Sequence, residues 1–272
     1  MGIINLPGAD YNVETAGAGA PLMLLHGFTG SAESWSHLQP ALAARLTMIM
    51  PDLLGHGRTG APDDPVRYRM EPCVADLIAI LDALSIGRTH LLGYSMGGRV
   101  ALAAAVEHPE RIASLILESA SPGLAGAGER EARVASDNAL ADAIERDGIE
   151  AFVARWEWIP LFATQERLPA QVRARLRTQR LSNNPRGLAN SLRGLGTGVP
   201  PPLWERLTEL KMPCLIMAGE LDGKFAGIAR AMAAAIAGSA LAIVPGAGHT
   251  IHLEHPAAFE RLVLEFAAAA DH

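Results

Sequence analysis

Six short apolar runs, at 22–25, 47–50, 89–92, 114–117, 213–217 and 240–244, constrain this chain more than any other feature. They show almost no polar alternation. That is the pattern of parallel strands buried on both faces, not of strands with one wet face. Helical patterns at 73–84, 97–106 and 226–237 fall between them. This strand–helix rhythm predicts an α/β fold, a mostly parallel central sheet covered by helices. A length of 272 residues fits one large α/β unit, and a 49% apolar composition supplies its core and excludes a disordered chain.

The rhythm breaks between Pro122 and Pro202, where no strand pattern is found. The segment opens with the loop-like SPGLAGAG, continues with Arg/Glu/Ala-rich helical stretches at 129–147, 149–158 and 169–181, and ends in Gly194, Gly196, Gly198 and Pro200-Pro201-Pro202. An insertion of this size between two strands predicts a helical cap, residues 122–202, on a core built from 1–121 and 203–272. Such a cap would lie over the strand ends, where open α/β sheets bind their ligands. The three glycines read as ordinary loop residues.

A net charge of −6 excludes non-specific nucleic-acid binding and leaves no broad basic face for anionic lipid. Lysine occurs only at 211 and 224, so nearly all the basic residues are arginine, the side chain suited to bidentate carboxylate recognition. Cys73 and Cys214 form neither a disulfide framework nor a metal-ligand spacing. The N-terminus has no basic segment before Asp10, and Met1-Gly2 lacks the Ser or Thr of a myristoylation signal. The longest stretch without Asp, Glu, Lys or Arg, 231–253, is interrupted by glycines and Pro245, so no membrane insertion is expected. The expectation is a monomeric cytoplasmic protein that uses no metal or cofactor.

Gly93-Tyr94-Ser95-Met96-Gly97 follows the apolar run 89–92 and opens the helical pattern at 97. The two glycines permit a tight strand-to-helix turn that lifts a serine hydroxyl out of the sheet. A serine needs a histidine to take its proton. His249, in Gly246-Ala247-Gly248-His249 after the last strand, stands in the right chain order. His252 and His255 compete for the role from a stretch that reads as the start of a helix or as surface. The acid that orients the imidazole is assigned to Asp222, at the end of the run 213–217, with Glu118 and Glu220 as alternatives. His26-Gly27-Phe28, after the first apolar run, can present the Phe28 backbone N–H to a developing oxyanion, with the Met96 N–H as second donor. The His26 side chain is expected to hold its own loop, and Asp52 to hold the turn 52–57. Together these motifs describe an α/β hydrolase with a Ser95–Asp222–His249 triad.

Arg99 lies four residues after Ser95, in the first turn of a helix, where a cation opposes the helix dipole at a cost of roughly 0.3–1 kcal/mol. It shares a helix face with the serine. That position suggests either a grip on an anionic substrate or an internal pair with a carboxylate such as Glu118. Arg130, Arg133, Arg173, Arg175, Arg177 and Arg180 could join it from the cap, and Trp156 and Trp158 could pack the cap or wall the site.

Longer motifs narrow the reading. The chain resembles the 2-succinyl-6-hydroxy-2,4-cyclohexadiene-1-carboxylate synthases, lyases of menaquinone biosynthesis. The resemblance runs through LLHGFTGSAESW (24–35), DLLGHGRT (52–59), GYSMGGRVAL (93–102), ESASPGL (118–124), EREARVASD (129–137), RWEWIPLF (155–162), LSNNPRGLANSLRGLGTG (181–198), GELDGKF (219–225) and AGHTIHLEHP (247–256). The cap segments and Arg99 are the specific ones, since many α/β hydrolases share the rest. The resemblance implies a triad of Ser95, Asp222 and His249, and an oxyanion hole from the backbone of Phe28 and Met96. It implies Arg99, Arg133 and Arg180 as holders of the carboxylates of a small tricarboxylate substrate, with Tyr94 and Trp156 lining the pocket. The implied reaction eliminates pyruvate without a cofactor. A carboxylesterase or C–C hydrolase would use the same triad, and fold does not decide between them. A non-catalytic binding protein would have no need of all three triad residues.

Overall fold

The computed structural model describes residues 2–270. Its strands are β1 (Gly2–Leu6), β2 (Ala9–Ala16), β3 (Ala20–Leu25), β4 (Leu46–Pro51), β5 (Thr89–Tyr94), β6 (Ile112–Glu118), β7 (Cys214–Gly219) and β8 (Ala240–Val244). They form one sheet in the order β1-β2-β4-β3-β5-β6-β7-β8. From β4 to β8 every pair is parallel, while β1/β2 and β2/β4 are antiparallel.

The helices are α1 (Gln39–Leu42), α2 (Met70–Ala83), α3 (Met96–Glu107), α4 (Ala127–Trp156), α5 (Ala170–Leu181), α6 (Pro185–Leu195), α7 (Gly223–Ala235), α8 (Ile251–Glu254) and α9 (Pro256–Ala270). The chain leaves β3 for one side of the sheet to make β4, then crosses back to make β5 beside β3. This reversal of strand order is where ligands bind in open α/β sheets, beyond the carboxyl ends of the strands.

The sheet divides two hydrophobic layers, and the alternation hidden in the apolar runs becomes visible there. Leu22 and Leu24 of β3 face a layer with Trp35, Leu38, Phe259 and Val263. Met23 and Leu25 face the other, with Val74, Leu77, Val100 and Met232. Both faces are dry, so the strand needs apolar residues at every position.

All six expected strands are present, with ends shifted by a residue or two. The hairpin β1–β2 is additional. So are α6, which runs through Gly187 and Gly194 where the sequence reads as loop, and α9. α6 starts on a clear cap: the Asn184 side chain accepts from the N–H groups of Arg186 and Gly187, and Pro185 follows at the first helical position. The expected break between 147 and 149 lies inside α4, where Gly148 has φ 83° and ψ 172°. Between β6 and β7, α4 and α6 share their own cluster of Ala141, Ile144, Phe152, Val153, Leu188, Ala189 and Leu192. That cluster explains how a long, mostly polar α4 finds an apolar face to bury.

Candidate active site

Neighbouring strands bring the candidate residues to one sheet edge. Leu25 of β3 lies opposite Gly93 of β5, so the His26-Gly27-Phe28 turn and the Tyr94-Ser95 turn leave the sheet side by side. Tyr94 lies opposite Glu118 of β6. Asp222 follows β7 and His249 follows β8.

Ser95 has φ 51° and ψ −104°, a backbone state that costs energy for any residue with a side chain. The turn is held from outside: the Ser95 N–H donates to the Glu118 carbonyl at 2.9 Å. A Cβ on Gly97 would meet the Leu25 carbonyl oxygen at 2.3 Å, so only glycine lets α3 start against the β3 loop.

The His249 ring is 1% exposed. Its Nδ1 lies 2.6 Å from Asp222 Oδ2 and its Nε2 3.0 Å from Ser95 Oγ. A carboxylate only accepts, so Nδ1 carries the proton and Nε2 is left to accept from the serine hydroxyl. The other carboxylate oxygen of Asp222 accepts from the Phe225 N–H at the start of α7, which fixes the side chain. Phe225 stands edge-on to His249 with ring centroids 4.6 Å apart, and Tyr94 and Phe162 lie at 5.4 and 6.2 Å.

The two alternative acids serve elsewhere. Glu118 is fully buried and accepts from the backbone N–H and Nδ1 of His252, so His252 is a core residue and not a surface one. Glu220 accepts from the Gly246 N–H.

Among the described residues neither the Phe28 nor the Met96 N–H has a hydrogen-bond acceptor. A Cβ on Gly27 would stand 2.6 Å from Tyr94 Cε1 and 3.6 Å from the Ser95 Cβ, which sets the Phe28 turn against the serine. His26 Nε2 accepts from the Leu53 N–H at 3.0 Å, so its Nδ1 donates to the Gly27 carbonyl at 2.8 Å. Burial pulls its pKa down to about 4, against the opposing Gly27 bond, so this ring is a neutral strut. Asp52 accepts from Asn12 and from the N–H groups of Ala32 and Arg58, holding three loops together.

The arginines fall into two places. Arg99 is half-buried and donates to the Leu195 carbonyl of α6; it makes no ion pair among the described residues, and none with Glu118. Burial and then the nearby Arg133 pull its pKa down to about 10, with Asp137 pulling the other way. Arg133 is exposed, and its Nε donates to both oxygens of Asp137 at 2.8 Å. Asp137 lies against Gly196, where a Cβ would meet its Oδ2 at 2.6 Å, so this glycine makes room for a carboxylate. Arg180 stands apart at 4% exposure, with its guanidinium carbon 5.1 Å from the centre of the Phe162 ring. Its Nη2 donates to Gln165 Oε1 at 3.0 Å, and among the described residues its Nε has no partner. Burial pulls its pKa below the usual arginine value, opposed by Tyr94 and then Glu157.

Two cavities adjoin these groups. The larger, about 670 Å³, is lined by Gly27, Phe28, Tyr94, Phe162, Gln165 and Arg180 among others, a lining that includes the neighbour of Ser95 but not Ser95 itself. The smaller, about 340 Å³, lies between α2 and α3 with Arg99 in its wall. Trp156 packs with Phe28, Phe152 and Phe162 into an aromatic cluster, whereas Trp158 is exposed. Among the described residues no group of three or more His, Cys, Asp or Glu could hold a metal, and no helix is long and apolar enough to cross a membrane.

Residues 20–256 match the family described as alpha/beta hydrolase fold. A 2-succinyl-6-hydroxy-2,4-cyclohexadiene-1-carboxylate synthase of Serratia proteamaculans (strain 568) is 34% identical, over 88% of this chain and 89% of its own. A Bacillus subtilis (strain 168) protein provisionally given the same name is 47% identical over 98% of each chain. The chain belongs to the 2-succinyl-6-hydroxy-2,4-cyclohexadiene-1-carboxylate synthase family of α/β hydrolases. A solved structure, that of MenH from S. aureus, superposes with a TM-score of 0.91 at 38% identity, covering 96% of this chain and 99% of that one.

In this member of the synthase family, sequence reading missed two residues at the site. Gln165 Nε2 donates to Thr250 Oγ1 at 2.9 Å, and Thr250 Oγ1 lies 3.0 Å from the Tyr94 hydroxyl. A chain of hydrogen bonds therefore runs from Arg180 to the residue before Ser95. Thr250 follows His249 directly, and that adjacency was the one available signal. Gln165 sits in a 3₁₀ helix, Pro160–Arg167, with no motif to mark it.

Proposed function

We propose that this protein is a carbon–oxygen lyase that eliminates pyruvate from 2-succinyl-5-enolpyruvyl-6-hydroxy-3-cyclohexene-1-carboxylate, giving 2-succinyl-6-hydroxy-2,4-cyclohexadiene-1-carboxylate in menaquinone biosynthesis. The product is the one for which its relatives are named. The observation that carries the substrate class is Arg180, a cation at 4% exposure with no carboxylate partner among the described residues. Such a burial is unfavourable by several kcal/mol unless an anion arrives to match it. The surrounding donors point the same way: the N–H groups of Phe28 and Met96, the Nε of Arg180 and the indole N–H of Trp156 have no acceptor among the described residues.

His249 accepts the Ser95 hydroxyl proton through Nε2, and the serine oxygen takes the ring proton next to the succinyl ketone. The electron pair left on carbon moves into the ketone, and the enolate oxygen accepts from the Phe28 and Met96 N–H groups. The enolate then collapses, the C–O bond to the enolpyruvyl group breaks, and that group leaves as the enolate of pyruvate, which takes the proton held on His249 to become pyruvate and returns the imidazole to its neutral form. Asp222 holds the imidazole tautomer and balances its charge once protonated. No acyl-enzyme forms.

Arg99, Arg133 and Arg180 take the three carboxylates of the substrate, Arg133 through the N–H groups that Asp137 leaves free. Tyr94 lines the pocket, Trp156 backs its Phe28 and Phe162 wall, and the aromatic cluster keeps water from the enolate. Residues 122–202 act as a cap on the core of 1–121 and 203–272. The chain works as a monomer in the cytoplasm, with no cofactor, no nucleic acid and no membrane insertion.

The test is pyruvate release from the enolpyruvyl substrate generated in situ, run beside Arg99→Ala and against a p-nitrophenyl ester. Fast release, lost in the arginine variant, supports the lyase and its carboxylate clamp. No release above background with rapid ester cleavage moves the function to an esterase.

A further inference from the structure

We infer that Gln165 is a positioning residue that sets this site's preference for carboxylates: it holds the Arg180 guanidinium in place without neutralising it. The inference rests on the lyase reading above. A guanidinium can only donate, so the Gln165 oxygen must face Arg180 Nη2, at 3.0 Å. The Gln165 amide nitrogen is then turned to Thr250 Oγ1, at 2.9 Å, which meets the Tyr94 hydroxyl at 3.0 Å. One side chain thus ties the cation to the loop that carries His249 and to the turn that carries Ser95. Gln165 is itself only 6% exposed, so its amide is held by these bonds and not by water.

The choice of amide over acid matters because the two are the same size and differ in charge. Buried arginines are ordinarily matched by carboxylates. Here the position that would supply one is neutral, and the carboxylate that acts on Arg180 from farther off, Glu157, is already bound to Arg177. The result is a fixed cation whose Nε has no partner among the described residues, in the wall of a cavity of about 670 Å³. A glutamate at 165 would close the pair internally and leave nothing for a substrate. The rest of the chain tolerates that change, since the Thr250 hydroxyl can turn to donate to a carboxylate while accepting from Tyr94.

Gln165→Glu is compared with the wild type and with Gln165→Met, which removes the tether and leaves the cation unmatched. Gln165→Glu is expected to raise the thermal midpoint and to raise KM by about tenfold or more, the scale of one charge-assisted hydrogen bond, while kcat changes by less than about threefold. It also weakens stabilisation by succinate, used as a dicarboxylate probe. Gln165→Met is expected to raise KM by a few-fold without raising the midpoint. A residue that merely packs would instead lower the midpoint in both variants and leave KM unmoved. Wild-type KM and wild-type succinate stabilisation in Gln165→Glu, or wild-type KM in Gln165→Met where the glutamate variant does not fold, overturn the inference and leave the lyase standing. Wild-type protein that releases no pyruvate, but loses succinate stabilisation on Gln165→Glu, overturns the lyase reading and leaves the inference standing.

Discussion

Replacing Arg180 with methionine separates stability from activity. Among the described residues its guanidinium meets neutral groups, the Gln165 oxygen at 3.0 Å and the Phe162 ring at 5.1 Å. A charge-assisted hydrogen bond to the amide returns about 1.5–3 kcal/mol, and a desolvated cation–π contact about 2 kcal/mol. Taking the cation out of water costs several kcal/mol. Methionine fills much of the same volume without that cost. These terms nearly cancel, so folding free energy is expected to stay within about 1 kcal/mol of the wild type or to improve slightly, each kcal/mol moving Tm by roughly 2–4 °C in a chain of this size. Substrate binding goes the other way. Removing one partner of a buried charge pair costs about 2–5 kcal/mol, a fall in kcat/KM of roughly 30- to 5,000-fold. The assays are thermal unfolding and pyruvate release coupled to lactate dehydrogenase. A drop in Tm that accompanies the loss of activity would refute the reasoning, because it would make Arg180 a structural residue. Unchanged kcat/KM would refute it equally.

Asp222→Asn is expected to lower kcat by about 10⁴-fold with little effect on KM, because an amide permits the wrong imidazole tautomer; a fall of tenfold or less contradicts the orienting role. Gly27→Ala places a methyl 2.6 Å from Tyr94 Cε1 and displaces the Phe28 turn, so kcat is expected to fall by about 10²-fold; normal turnover would show that the turn yields without disturbing the oxyanion site. Burial lowers the pKa of His26 to about 4 and of His56 to about 3, so both rings fold neutral. The unfolded chain then binds more protons below about pH 6.5, and stability falls as pH drops from there toward 4. With both rings contributing, the slope is about 2.7 kcal/mol per pH unit near pH 5. His26→Gln, whose side-chain oxygen can still accept from Leu53, should roughly halve it in denaturant titrations, and an unaltered slope would count against the neutral strut.

The core strands could be read from sequence because burial on both faces removes polar residues from them. β1 and β2 could not. β1 is largely exposed, and in β2 the buried Tyr11, Asn12 and Val13 run consecutively among polar neighbours. α6 was hidden by Gly187 and Gly194, whose presence answers close contacts with Gly55 and Tyr68 that no local pattern reveals. Its Asn184-Pro185 start is a cap signal that the sequence does carry. At the site, Ser95, Asp222 and His249 each stand at the end of a legible strand, and the structure brings them together. Glu118 also ends a strand, and only the three-dimensional pairing with His252 removes it from contention. The Gln165–Thr250 and Tyr94–Thr250 contacts span 85 and 156 residues of chain, so nothing local could announce them.

The central claim is that the Ser95–His249 pair takes the ring proton and so drives the loss of pyruvate. The measurement that tests it most directly is pyruvate release from the enolpyruvyl substrate by wild-type protein and by Ser95→Ala, each checked for folding by thermal unfolding. The account requires rapid release by the wild type and release at the uncatalysed rate by a folded Ser95→Ala protein. Wild-type-like release from that variant would contradict it.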